Sequence, residues 1–408
     1  MESQITEYAL KIMEIAEWKL CDHCLGRNFS KIVEGDDNKY RGEYVRQILN
    51  KESNNALTTN SCHICNDLFN EIENGMAEKI LKKIDDEHIE FSTFLVGCRI
   101  QPEILNREEE IHKSLQLDVE NIKKEINREL GKKLEFILDK DVDFDYPDIV
   151  IMVDFINDDI NFQINPIFIE GRYRKLVRGI PQTKWPCRKC RGKGCENCDY
   201  TGKQYPESVE ELISPKAVEF ARGNESKFHG AGREDIDVKM LGNGRPFVLE
   251  IKEPHIREFD LKLLEDEINE FADRKVEVRD LKFVGRKRKG TIKCSSTETY
   301  KVYRAIVELD EEINENKLDV LNSLDVINQQ TPIRVSHRRA DKIRTRNVKK
   351  IDTKLIDSTK FEMIVECEGG LYIKELISGD EGRSSPSVSE VLGTNALCVQ
   401  LDVLEVNI

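Results

Sequence analysis

The chain has 408 residues, 39% hydrophobic and 34% charged, enough for two to four domains and too apolar for a disordered polymer. No apolar run approaches the ~18 residues of a membrane-spanning helix, and the polar start MESQITEYAL does not read as a signal peptide, so a cytoplasmic protein is expected. The formal charge of -14 argues against a nucleic-acid ligand only until its distribution is considered.

Glu7–Leu20 places Ala9, Ile12, Met13, Ala16 and Leu20 at helical spacing and predicts a helix running into CDHC. CHIC follows after a polar loop, and a second helix is expected from about Asp67 to Ile84. Phe91–Ile100 reads as a strand, Glu108–Glu129 as one charged helix ending before Gly131, and Asp148–Phe155 and Asn161–Gly171 as two further strands. This makes a compact α+β unit. Beyond it, SVEE at Ser208–Glu211 has capping-box form before a helix at Leu212–Ala221. Strands at PFVLEIKEP, KVEVRDLKFVG, YKVYRAIVEL, FEMIVECEGG and NALCVQLDVLEV, with a helix near Leu261–Asp273, predict a large mixed sheet.

Three segments concentrate positive charge. Gly171–Lys193 holds nine basic residues and no acid, Phe283–Lys293 is free of acids, and Ile333–Lys350 contains only Asp341. An RNA- or DNA-binding face explains them better than a solvated surface does.

Eight of the 12 cysteines lie in C-x2-C pairs, which in a cytosolic chain predicts metal before disulfides. Cys21, Cys24, Cys62 and Cys65 have the spacing of a structural zinc site, with His23 and His63 as weaker ligands. Cys187, Cys190, Cys195 and Cys198 are separated by a short spacer, and whether they hold a second metal is left open. CRGKGC…C…TG resembles half of the zinc region of Hsp40-type chaperones, with no J-domain signature beside it.

Nucleotide motifs are missing. GRKRKGT lacks the Walker lysine and reads as a basic hairpin loop, and no G-x-G-x-x-G follows a strand. Neither G-x-S-x-G nor H-E-x-x-H occurs. The chemistry is expected to need no nucleotide cofactor. The segment KFHGAGREDIDVKMLGNGRPF instead sets glycines beside Arg233, Glu234, Asp235 and Asp237, as a loop would that lets a ligand approach its backbone.

GAGREDIDV resembles the catalytic loop of pseudouridine synthases, KVYRAIV their tyrosine motif, and GLYIKELISGD their third motif. With QQTPIRVSHRRADKIRTRNV between the last two, the chain resembles the tenth family of these enzymes. Archaeal members of that family add an N-terminal zinc module and a THUMP domain and act on tRNA T-loop uridines (positions 54 and 55). The resemblance implies an α+β multidomain protein: a zinc-binding helical module at 1–71, a THUMP-like RNA-binding domain at 72–182, a cysteine-rich linker at 183–205 and a mixed α/β catalytic domain at 206–408. It implies Asp235 as the catalytic carboxylate, with Asp237 as its rival. Lys374 is implied as the basic partner of Asp235, and Arg233 as a support for the flipped nucleotide. Tyr303 and Tyr372 would meet the uracil and Leu376 would line the pocket. No catalytic cofactor, a structural zinc, a tRNA partner and a monomer are expected.

Overall fold

A computed structural model describes residues 2–52, 61–116, 118–294 and 299–407; of the polar loop expected between CDHC and CHIC, 53–60 lie outside them, and Asn38–Glu52 is a helix instead. The chain forms two compact units, 1–165 and 166–408.

The first unit runs α1 (Glu2–Ile15), α2 (Asp22–Arg27), α3 (Asn38–Glu52), α4 (Leu68–Glu73), α5 (Met76–Glu87), β1 (Thr93–Arg99), α6 (Pro102–Ser114), α7 (Ile122–Leu138), β2 (Asp141–Val142), β3 (Ile149–Asp154) and β4 (Asp159–Ile164). Among the described residues its sheet has the order β2-β1-β3-β4. A continuous apolar core extends from Ile12 through Cys24 and Phe69 to Phe94, Ile126 and Ile151. The cysteine module therefore shares a core with the sheet rather than standing as a separate module over 1–71. The expected charged helix is two helices, α6 and α7. Pro102 opens the first, and the second begins where the Asn121 side chain accepts from the Lys124 N–H. Gly131 lies inside α7 rather than beyond its end.

The second unit begins where the expected strand Asn161–Gly171 breaks. Pro166 has no N–H to continue the ladder. The chain leaves β4 and starts β5 (Ile167–Lys175), which pairs with strands of the other sheet, so a span of 72–182 takes in a strand that is not its own. Then follow α8 (Val209–Ala221), β6 (Glu225–Gly230), β7 (Lys239–Lys252), α9 (Leu261–Phe271), β8 (Val276–Val284), α10 (Arg288–Cys294), β9 (Tyr300–Leu309), β10 (Val326–Gln330), β11 (Ile343–Asp357), β12 (Lys360–Glu368), α11 (Ile373–Ser378), β13 (Ser384–Ser385), α12 (Val388–Leu392) and β14 (Ala396–Val406). Among the described residues these make one sheet of order β13-β10-β11-β12-β9-β14-β7-β5-β8, with β6 on β7. GRKRKGT is not a hairpin loop: Arg288 onward is helical, and Arg288 reaches back to Glu170 at 2.6 and 2.8 Å. The expected linker 183–205 is a ribbon of the second unit, closed at its base by a bridge between Pro186 and Lys203.

Candidate active site

The loop between β6 and β7 is fixed from below by buried charge. Glu234 is fully buried; its carboxylate lies 2.9 Å from the Arg245 guanidinium and 2.8 and 2.9 Å from the Tyr173 hydroxyl. Gln182 donates to that hydroxyl at 2.8 Å and to the Gly232 carbonyl at 3.0 Å, and Arg245 donates to the Ala231 carbonyl at 2.7 Å. Gly232 has φ +81°, and a Cβ there would stand 3.1 Å from Arg245 Nη1 and 3.3 Å from Lys301 Nζ. Only glycine both adopts that backbone and leaves this polar floor undisturbed.

Lys175, also buried, donates to the carbonyls of Ile180 and Asp235, each at 3.0 Å, and of Ile236 at 3.3 Å. Its three N–H groups are thus spent on the backbone that carries Asp235. Arg178 donates to the Asp237 carbonyl at 2.6 Å and to that of Leu401 at 2.7 Å. Arg172 reaches the carbonyls of Asn243, Gly244 and Val406, and Arg174 pairs with Glu277. Much of the first basic block thus holds the fold and the loop rather than facing outward.

Burial lowers the Lys175 ammonium to about 8 from an ordinary 10.5. The unfolded chain keeps that proton to higher pH, so the folded state gains stability as pH rises from about 8 toward 10.5 and bears the full burial penalty below that window. Measured by urea unfolding, wild type should gain about 2 kcal/mol relative to Lys175→Met between pH 7.5 and 9.5. A constant difference would contradict the charged, buried state.

Above this floor lies a cavity of about 320 Å³, within the range of small-ligand pockets. Its walls include Trp185, Arg233, Asp235, Asp237, Tyr303, Arg334, Tyr372 and Lys374. The third-motif tyrosine is held by its own peptide: buried Gln329 accepts from the Tyr372 N–H at 2.8 Å and donates to the Tyr372 carbonyl at 2.9 Å. Arg339 donates to the Tyr372 hydroxyl at 3.0 Å, and the Arg334 guanidinium lies 5.8 Å from the ring centroid. Tyr303 projects from the central strand β9, opposite Val365 and Val403. Burial raises its phenol above the ordinary value and keeps it neutral.

The charge pairing differs from the expected one. Arg334, not Lys374, is the near partner of Asp235, at 2.8 Å, while its other edge meets Glu375 at 2.5 Å. Lys374 contacts Asp237 at 2.6 Å and stands 3.8 Å from Asp235. Burial works to raise the Asp237 carboxyl, but the Lys374 ammonium outweighs it and holds the group below the usual range. The two carboxylates therefore sit in one cationic cluster, each with a different nearest cation. Leu376 does not line the cavity. It is fully buried in the core behind α11, and Leu371 and Ile373 line the wall instead. A short helix that turns Lys374 toward the cavity turns its opposite face into the core.

In the first unit, Cys21, Cys24, Cys62 and Cys65 have all four sulfurs within 4.8 Å of one another, and Cys21 Sγ is 3.6 Å from Cys65 Sγ. A tetrahedron with Zn–S of ~2.3 Å has edges of about 3.8 Å, so this set fits zinc. His23 is not a ligand: its ring stacks on Phe69 at 4.1 Å and its nitrogens meet Glu125 at 2.9 Å and Glu73 at 3.2 Å. His63 is not in the group either. Fully buried Arg27 adds positive charge beside the thiolates, donating to Cys24 Sγ at 3.5 Å and to Glu108 at 2.8 Å. The second set of four cysteines is also gathered within 4.8 Å.

Residues 168–407 match the family model described as Pus10, C-terminal, and residues 76–154 match that of the Pus10 THUMP domain, archaeal. The chain belongs to the Pus10 family. Membership makes it an α+β RNA pseudouridine synthase, an isomerase. It is 55% identical over 396 residues to the tRNA pseudouridine synthase Pus10 of Methanothermobacter marburgensis, covering 97% of each chain. It is 42% identical over 407 residues to the protein of that name from Pyrococcus furiosus, covering 98% of each. A solved Cbf5-Nop10-Gar1 complex aligns at 17% identity and a TM-score of 0.29, covering 48% of this chain and 44% of that one. Among the described residues no helix is long and apolar enough to cross a membrane.

Proposed function

We propose that this Pus10-family chain converts uridine in the T-loop of tRNA to pseudouridine, with Asp235 as the carboxylate that works on the ribose. The reaction breaks the bond from C1′ to N1, rotates the uracil and joins C1′ to C5. N1 gains a proton and C5 loses one, so nothing is oxidised and no group is donated. One ionised carboxylate and a pocket for the detached base suffice. The observation that carries this reading is the meeting of Asp235, Arg334, Tyr303 and Tyr372 around one cavity of about 320 Å³. The Arg334 guanidinium stands 2.8 Å from Asp235, and the proposed role, nucleophile or base, requires an ionised carboxylate there. The tyrosine rings offer faces to the uracil, worth ~1–3 kcal/mol per stacked base, against a few kcal/mol for flipping the nucleotide. Arg233 at the cavity wall supports the extruded nucleotide. A tRNA substrate agrees with the relatives' name, tRNA pseudouridine synthase, and the first cysteine group holds a structural zinc.

The test is to incubate unmodified tRNA transcripts with the protein and map the carbodiimide-reactive uridines whose adducts survive alkali. Pseudouridine confined to the T-loop is expected. Product elsewhere would move the substrate, and none would leave an RNA-binding protein. Affinity for the same transcripts should fall at least roughly tenfold between about 50 and 200 mM salt, because phosphate contacts release counterions. A flat response in a filter-binding titration would contradict a basic RNA face.

A further inference from the structure

We propose that the second cysteine group is a zinc knuckle whose task is to position Trp185, and through it Arg233, at the wall of the catalytic cavity. The positioning half rests on the catalytic reading above; the metal half does not.

The sulfur geometry comes first. Cys195 and Cys198 Sγ are 3.7 Å apart, and Cys190 and Cys198 Sγ are 3.8 Å apart. Those are the edges of a zinc–thiolate tetrahedron, about 3.8 Å, and far longer than the ~2.05 Å of a disulfide. Backbone N–H groups already point at the sulfurs, from Gly194 to Cys190 Sγ at 3.2 Å and from Cys195 to Cys198 Sγ at 3.3 Å. The short spacer closes because Gly192 and Gly194 take φ of +92° and +88°. A Cβ on Gly202 would fall 2.4 Å from the Gly192 carbonyl oxygen, so the two turns are packed against each other. Zinc with four thiolates carries net negative charge, and the ribbon interleaves Arg188, Lys189, Arg191 and Lys193 with its cysteines along the sequence.

The ribbon's base carries the functional consequence. Beside the Pro186–Lys203 bridge, the Cys187 N–H donates to the Gly202 carbonyl at 2.8 Å and the Gln204 N–H to the Trp185 carbonyl at 2.9 Å. Trp185 meets Tyr205 edge-on at 5.6 Å, and the Arg233 guanidinium lies 4.9 Å from the Trp185 ring centroid. Both Trp185 and Arg233 line the cavity. Closing the knuckle therefore fixes the two strand ends from which the indole projects, and the indole holds the guanidinium by cation–π attraction. Trp185 is a positioning residue, not a catalytic one.

The test uses the full chain. Metal analysis should find two zinc ions per chain in wild type and one in Cys190→Ser/Cys195→Ser. In a Trp18→Phe background the remaining Trp185 emission should shift to the red in that double variant. On an unmodified tRNA transcript, kcat/KM should fall roughly tenfold or more in the cysteine variant and equally in Trp185→Ala. Combining them should cost nothing further, and Trp185→Phe should retain most activity. One zinc in wild type, or two in the cysteine variant, overturns the metal site. Loss of the zinc with unchanged emission and kcat/KM overturns the positioning role. Two zincs and a responsive Trp185 emission in a wild type that makes no pseudouridine would uphold the knuckle and count against the catalytic reading instead.

Discussion

Glu234→Ala should destabilise the second unit by about 3–5 kcal/mol, the cost of leaving a buried cation without its partner. Arg245 is 2% exposed and Glu234 fully buried, so water cannot replace the lost carboxylate. The same substitution takes an acceptor from the Tyr173 hydroxyl and so loosens the Gln182 and Gly232 contacts behind it. A loss of this size is a large fraction of the ~5–15 kcal/mol that folds a typical domain. Urea unfolding of wild type, Glu234→Gln, Glu234→Ala and Glu234→Met/Arg245→Met should show the double variant less damaged than the sum of its parts. Glu234→Ala within about 0.5 kcal/mol of wild type would remove the buried pair as the anchor of the loop.

The second large effect is chemical. Asp235→Asn should lower the single-turnover rate at least ~1,000-fold, equivalent to about 4 kcal/mol of barrier, while transcript affinity stays within about threefold, since base and phosphate contacts lie elsewhere. An amide keeps the shape and can accept a hydrogen bond from Arg334 but carries no negative charge to offer the ribose. Arg334→Ala should also slow the reaction, because it removes the 2.8 Å cation and unpairs Glu375. The measurement is a rapid-quench time course with enzyme in excess.

Much of this site was legible in the sequence because its motifs are local. Glycine beside Arg-Glu-Asp suggested a ligand-facing loop, and the tyrosine and lysine motifs named Tyr303, Tyr372 and Lys374, which the fold brings to the same cavity wall. Arg334 was visible only as one cation in a basic block, since its pairing with Asp235 depends on how the segment after β10 meets the loop between β6 and β7 in space. The buried Glu234–Arg245–Tyr173–Gln182 set carried no signal for the same reason: each side chain is ordinary alone and becomes structural only when sheet pairing joins β5 to β7. Leu376 was assigned to the pocket from its place in a motif, whereas helix direction puts it in the core. Local chemistry also misled. Glycines in GRKRKGT suggested a hairpin where contacts to Glu170 and Glu250 hold a helix. Strand-like composition on both sides of Asn165–Pro166 hid the exchange of sheets there, although Pro166 itself was the local signal of a break. The short spacer between the second cysteine pairs left their metal open, and the left-handed Gly192 and Gly194 are how the chain brings the four sulfurs within 4.8 Å of one another.

Two carboxylates share the cationic cluster, and the proposed chemistry belongs to the one beside Arg334. The most direct test is a head-to-head rapid-quench comparison of Asp235→Asn and Asp237→Asn on one unmodified tRNA transcript. Asp235→Asn should leave no detectable pseudouridine, and Asp237→Asn, which keeps that carboxylate and frees Lys374 toward it, should retain turnover reduced by about tenfold. Normal product from Asp235→Asn, with Asp237→Asn inactive, would contradict the assignment outright.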